Sequence, residues 1–128
     1  MVTALIIDDM ETNIEMLQAY LRLFAIETIA AITGKDGFEL AKSHTPDVIF
    51  MDLLMPEETW DGYKAIQELR LYRQTSHIPI VVITGAGEEY RSYEMGCDAF
   101  IVRPFQKHHL GNVLDTLQLI EMANGGAK

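Results

Sequence analysis

The sequence predicts an α/β domain, a doubly wound five-stranded parallel sheet of order 2-1-3-4-5 with five helices. Three observations carry this. Five short strand-like runs alternate with segments of helical period. The third run, Val48 to Met51, is unbroken apolar, as in a strand buried on both faces of a parallel sheet. The loops are short, and a right-handed crossover between parallel strands needs a helix. That order places strands 1 and 3 centrally, beside the switch point.

In chain order, Ala4 to Ile7 forms the first strand and runs into Asp8-Asp9. Residues 11 to 24 have helical period, with Ile14, Leu17, Leu21 and Phe24 on one stripe, and Thr12 with Glu15 at capping-box spacing. Glu27 to Ile32 reads as the second strand, ended by Thr33-Gly34, and a helix from about Asp36 to Ser43 packs Phe38, Leu40 and Ala41. The third strand stops at Asp52, and Pro56 prevents regular continuation. Tyr63, Ile66 and Leu69 mark a helix to about Arg73. Pro79 opens the fourth strand, Ile80 to Ile83, which ends at Thr84-Gly85. A short helix from about Glu88 to Met95 stops at Gly96, a left-handed C-terminal cap. Ala99 to Val102 is the fifth strand, ended by Arg103-Pro104. The last helix, about Gln106 to Met122, buries Leu110, Val113, Leu114 and Leu117. Residues 1–123 are expected to form one domain and 124–128 a flexible tail. Met1 directly before the first strand is expected for a native start.

Asp8, Asp9, Asp52, Thr84 and Arg103 all follow carboxyl ends of strands, where open α/β sheets hold their sites. Two carboxylates at 4 Å repel by about 4 kcal/mol at an effective dielectric of 20. Either their pKa values rise or a cation joins them. Oxygen ligands without His or Cys suit a hard divalent ion, magnesium above all. Such an ion would make Asp52 a usable nucleophile toward a phosphorylated donor, with Thr84 and Arg103 stabilising the extra oxygens. Taken singly, Asp8 and Asp9 would read as caps of the first helix and Thr84 as a strand end.

Composition narrows the classes. Ten basic residues against nineteen acidic ones give a net charge of −9, which opposes nucleic acid and anionic membranes. The single cysteine, Cys97, excludes an internal disulfide framework and fits a reducing cytoplasm, where it serves as a small core residue. No run approaches membrane-spanning length.

The Asp8-Asp9 pair, Asp52 with Met55-Pro56, Asp61-Gly62, Thr84 and Arg103-Pro104-Phe105 together resemble a response-regulator receiver domain of two-component signalling, of the single-domain chemotaxis-regulator kind. The resemblance covers essentially the whole chain and implies a flavodoxin-like fold. It implies that Asp52 takes a phosphoryl group from the phosphohistidine of a sensor histidine kinase or phosphotransfer protein. Magnesium would be held by Asp9, Asp52 and the backbone carbonyl of Leu54, with Asp8 acting mostly through a bound water. Thr84 would turn toward the phosphoryl group and Phe100 would swing inward behind it. The face of the fourth helix, fifth strand and fifth helix would then engage a downstream protein. Such a chain is not an enzyme beyond its own phosphorylation and slow dephosphorylation, and is expected to be a monomer or weak homodimer.

Three features depart from the family pattern. Arg103 stands where the family has a lysine, and arginine is longer and planar. It could bind phosphoryl oxygens bidentately, or prove too large and turn outward, leaving a pseudo-receiver that binds protein without being phosphorylated. The Arg103-Pro104 peptide is cis by resemblance. The loop before Asp61-Gly62 is lengthened, bringing Glu57, Glu58 and Trp60 close to the rim, as a plain surface excursion or as a cover or docking point. Leu54 and Ala86 are apolar where the family tunes water access, so self-dephosphorylation should be slow. Tyr90, Tyr93 and Met95 form either a partner patch or a half-buried helix face, and His108-His109 reads as a solvated helix start. A haloacid-dehalogenase-type hydrolase would need an aspartate at Leu54, and a flavin carrier would need a phosphate cradle where Asp8-Asp9 repels one.

Overall fold

The structure, a computed structural model, describes residues 1–85 and 89–120, without the side chains of Glu89, Tyr90 and Ser92. Its elements run β1 (Thr3–Ile7), α1 (Glu11–Arg22), β2 (Glu27–Ala31), α2 (Gly34–His44), β3 (Val48–Asp52), a 3-10 turn (Glu57–Thr59), α3 (Gly62–Leu71), β4 (Ile80–Thr84), α4 (Glu89–Glu94), β5 (Ala99–Val102) and α5 (Lys107–Thr116). The strands are all parallel in the order β2-β1-β3-β4-β5, as the sequence predicts.

Alternation along the central strands builds two cores. Ala4, Ile6, Val48, Phe50, Val81 and Ile83 face α1 and α5, meeting Ile14, Leu17, Leu21, Leu110 and Leu114. Leu5, Ile7, Ile49, Met51, Ile80 and Val82 face α2 and α3, meeting Phe38, Ala41, Ala65, Ile66 and Leu69. A sheet covered on both faces explains why β3 and β4 carry no polar residue before their last position.

Several boundaries differ from expectation. Asp52 and Thr84 lie inside their strands, because Asp52 still pairs with Ile83 and Thr84 with Val102. β2 stops at Ala31, since Thr33 leaves the sheet to cap α2, its hydroxyl accepting from the Asp36 amide at 3.0 Å. The Thr12/Glu15 capping box does not form: α1 begins after Met10, with no side chain capping it, and Thr12 is already within the helix. α3 ends at Leu71 rather than Arg73, where Tyr72 adopts extended geometry. α5 ends at Thr116, since Gln118 takes a left-handed φ of 63°, and Leu119 and Ile120 are helical again. Gly96 has φ 104°, the left-handed geometry expected after α4, and Cys97 is buried. Burial raises the Cys97 thiol pKa to about 11, which leaves it inert at neutral pH. Ala86, Met122 and residues 124–128 lie outside the described residues.

Candidate functional site

The register assembles the rim. Ile6 pairs with Phe50 and Ile7 with Met51, so Asp8 leaves β1 beside the end of β3. By alternation, Asp8 continues the Ala4–Ile6 stripe and Asp52 the Val48–Phe50 stripe, which brings the two carboxylates over the same core. Asp8, Asp9 and Asp52 each offer an oxygen within 4.8 Å of the others, with Asp8 and Asp52 buried and Asp9 exposed.

Arg103 joins them from the far side of the sheet. Its backbone amide donates to the Thr84 carbonyl at 2.8 Å, fixing the start of the side chain beside β4. The guanidinium then reaches inward: Nη2 donates to Asp8 Oδ2 at 2.9 Å and Nη1 to Asp52 Oδ1 at 3.4 Å. Only 27% of the side chain is exposed. β5 and β1 are three strand spacings apart, so the reach to Asp8 uses the length of arginine. The outward-turned conformation is not the one adopted. The Arg103-Pro104 peptide is cis.

Asp8 is also held from its own side. Its Oδ1 accepts the Met10 amide at 2.9 Å and its Oδ2 accepts Asn13 Nδ2 at 3.2 Å. Asn13 went unnoticed in the sequence because its polar side chain sits one residue before the apolar stripe of α1; its place five residues after Asp8 is the available signal. Burial, the largest cause, raises the pKa of Asp52 to about 6; Asp8 adds to this and Arg103 opposes it. Burial likewise raises Asp8, against the Met10 amide, Arg103 and Asn13. The rim therefore holds more negative charge than one guanidinium balances.

Thr84, one residue past the Ile83 that pairs with Asp52, has a buried Oγ1 with no hydrogen-bond partner among the described residues. An unsatisfied buried hydroxyl costs about 1–3 kcal/mol, and an incoming oxygen would relieve it. The three carboxylates are hard oxygen donors without nitrogen or sulfur, so the residues fit magnesium. Leu54 follows Asp52 by two residues and is 70% exposed in the rim loop.

That loop is anchored at both ends. Asp61 caps α3 by accepting the Lys64 amide at 2.9 Å. Gly62 packs so tightly that a Cβ there would lie 2.3 Å from the Asp52 carbonyl oxygen. Trp60 folds away over α2: its ring lies 5.5 Å from Phe38, Lys64 Nζ sits 5.7 Å from its centroid, and its carbonyl accepts the Gly34 amide at 3.2 Å. The lengthened segment is thus a packed turn, with Gly34 the residue that allows the close approach. Phe100 is half-buried and meets Tyr93 edge-on at 5.2 Å, with Tyr93 51% exposed. Met95 packs partly buried against the α2–α3 core. His108 and His109 are exposed at the start of α5, where His109 Nδ1 accepts the Gln106 amide at 2.9 Å.

Comparison with known proteins agrees with this geometry. The family model described as the response regulator receiver domain matches residues 4–115. The polar-differentiation response regulator DivK of Brucella ovis is 30% identical over 105 residues, covering 80% of this chain and 84% of its own. A response-regulator crystal structure from Chloroflexus aurantiacus superposes with TM-score 0.84 at 28% identity, over 91% of this chain and 98% of the other. The receiver domain of the sensor histidine kinase PA1611 from Pseudomonas aeruginosa has the same fold, with TM-score 0.82 at 24% identity over 91% of this chain and 96% of its own. That structure carries a magnesium ion coordinated in its active-site cleft.

Proposed function

Since the chain belongs to the response-regulator receiver family, we propose that it is a phosphorylation-dependent signalling switch whose phosphoryl acceptor is Asp52. The observation that carries this is that one rim holds both a buried, incompletely neutralised Asp52 and a buried Thr84 hydroxyl without a partner among the described residues. Asp8, Asp9 and Asp52 would hold magnesium together with the backbone carbonyl of Leu54. The ion would supply charge neutralisation for phosphoryl oxygens. Asp52 attacks the phosphorus of a phosphohistidine or small acyl phosphate, the bond to the donor breaks, and the donor leaves with its electron pair. Arg103 and Thr84 donate hydrogen bonds to the oxygens that arrive.

Thr84 turning toward the phosphoryl group would open space for Phe100 and change the face built by α4, β5 and α5. That face would engage a downstream protein; the phosphoryl source would be a sensor histidine kinase or phosphotransfer protein. The −9 charge supports a protein target rather than nucleic acid or an anionic membrane. An apolar Leu54 cannot orient a hydrolytic water, so the aspartyl phosphate should persist well beyond seconds without a phosphatase.

One observation favours a second reading. Arg103 already bridges Asp8 and Asp52, as would a pseudo-receiver that binds protein without turning over phosphate. Acetyl phosphate with magnesium separates the two. Intact mass should rise by one phosphoryl group in the wild type and not in Asp52→Asn; an unlabelled wild type would establish the pseudo-receiver.

A further inference from the structure

Arg103 is bound to two of the three carboxylates that a metal ion would need. Asp8 Oδ1 accepts the Met10 amide, and Asp8 Oδ2 accepts both Arg103 Nη2 at 2.9 Å and Asn13 Nδ2 at 3.2 Å. A carboxylate oxygen offers about two acceptor positions, so Asp8 Oδ2 is full. Asp52 Oδ1 faces Arg103 Nη1 at 3.4 Å, a weaker contact. A divalent ion placed among the three carboxylates, whose oxygens lie within 4.8 Å of one another, would meet the guanidinium at two of them, with the repulsion doubled by its charge.

We propose that Arg103 is a resident counter-cation that competes with the divalent ion for Asp8 and Asp52, and so sets both the affinity and the order of loading. Without the ion, the guanidinium offsets part of the charge of the pair. When the ion takes the carboxylates, Arg103 gives up the longer contact to Asp52 first and then Asp8. It is thereby freed as a two-pronged donor for phosphoryl oxygens. Planarity matters here, because two nitrogens hold two carboxylates at once, whereas an ammonium is a single point of charge. This inference rests on the metal-assisted reading of Asp52, but its test uses no phosphoryl donor.

The experiment is calorimetric titration of the full chain with magnesium chloride, comparing wild type, Arg103→Gln and Arg103→Lys. Arg103→Gln should bind the ion about tenfold or more tightly, with Arg103→Lys between the two. A purely structural role would not move a second readout: saturating magnesium should raise the Tm of Arg103→Gln more than that of wild type. Should Arg103→Gln fail to fold, Arg103→Lys carries the comparison, together with the Arg103 side-chain NMR signals, which should shift in wild type on adding magnesium. Affinities equal within about twofold overturn this proposal and leave the labelling of Asp52 untouched. Absence of binding in all three proteins overturns it together with the metal in the proposed function. Loss of phosphoryl labelling with the affinity difference intact would instead strike only the acceptor reading.

Discussion

The two rims of the sheet use the same residue types to opposite ends. At the amino-terminal rim, Asp47 accepts the Thr3 amide at 2.9 Å and Asp98 accepts the Ile80 amide at 2.8 Å, each tying one strand to the start of another. Arg70 closes that rim: Nη2 meets Asp98 at 2.7 Å, Nη1 reaches the carbonyls of Ser76 and Ile78, and Nε reaches that of Gly96. Each nitrogen of the guanidinium there has a fixed acceptor. At the carboxyl-terminal rim, among the described residues, one guanidinium faces a cluster of three carboxylates, one contact is stretched to 3.4 Å, and a hydroxyl is left without a partner. A satisfied arginine–aspartate network holds a fold together, while an unbalanced one is left open to a cation and an anion from solution.

Arg70→Ala should sharpen this contrast most. It strands three carbonyls and a carboxylate, and should cost about 2–3 kcal/mol in urea unfolding after allowance for the partial exposure of Asp98. Phosphoryl labelling of Asp52 should survive it at temperatures where the variant is folded. Loss of labelling in a folded Arg70→Ala would mean that the rims are not separable.

Asp52→Asn should act in the other direction. The folded pKa of Asp52, about 6, lies above its ordinary 3.8. The folded state therefore binds the extra proton, and the stability this contributes is fully present below 3.8 and lost as pH rises through about 6. Without divalent ions, wild type should lose about 1–3 kcal/mol between pH 4 and 7 from this group, and Asp52→Asn should lose less. Parallel pH–stability curves for the two proteins would contradict an unbalanced rim.

The smallest effect is expected at Thr84. Thr84→Val removes a buried hydroxyl without a partner among the described residues, at nearly constant shape, and should stabilise the protein by about 1 kcal/mol or less. It should also uncouple phosphorylation from any change at Phe100, read by NMR. A destabilised Thr84→Val would show that the hydroxyl has a partner in the resting protein.

How much of this could be read from the chain depends on what each residue answers to. β3 and β4 were legible because burial on both faces demands apolar runs. The Asp and Thr that close them belong to the ladders too, which only the register reveals. The end of α5 was hidden because Leu117, Leu119 and Ile120 keep an apolar pattern across the left-handed Gln118. The clustering of Asp8, Asp9 and Asp52 followed from topology alone. The course of Arg103 did not, since a long side chain can satisfy its charge toward solvent or across the sheet, and only the surrounding acids decide. Trp60 likewise answers to Gly34 and Phe38, residues far away in sequence. Arg70 carries no signal in the sequence, since three of its four acceptors are backbone carbonyls that no motif records.

The most direct measurement is a crystal structure with magnesium and beryllofluoride. The account predicts the beryllofluoride bonded through beryllium to an Asp52 oxygen, the ion among Asp8, Asp9 and Asp52, Thr84 Oγ1 donating to a fluorine, and the Arg103 guanidinium moved off Asp8 onto the phosphoryl mimic. A guanidinium still bridging Asp8 and Asp52, with neither magnesium nor beryllofluoride bound at saturating concentration, would contradict it.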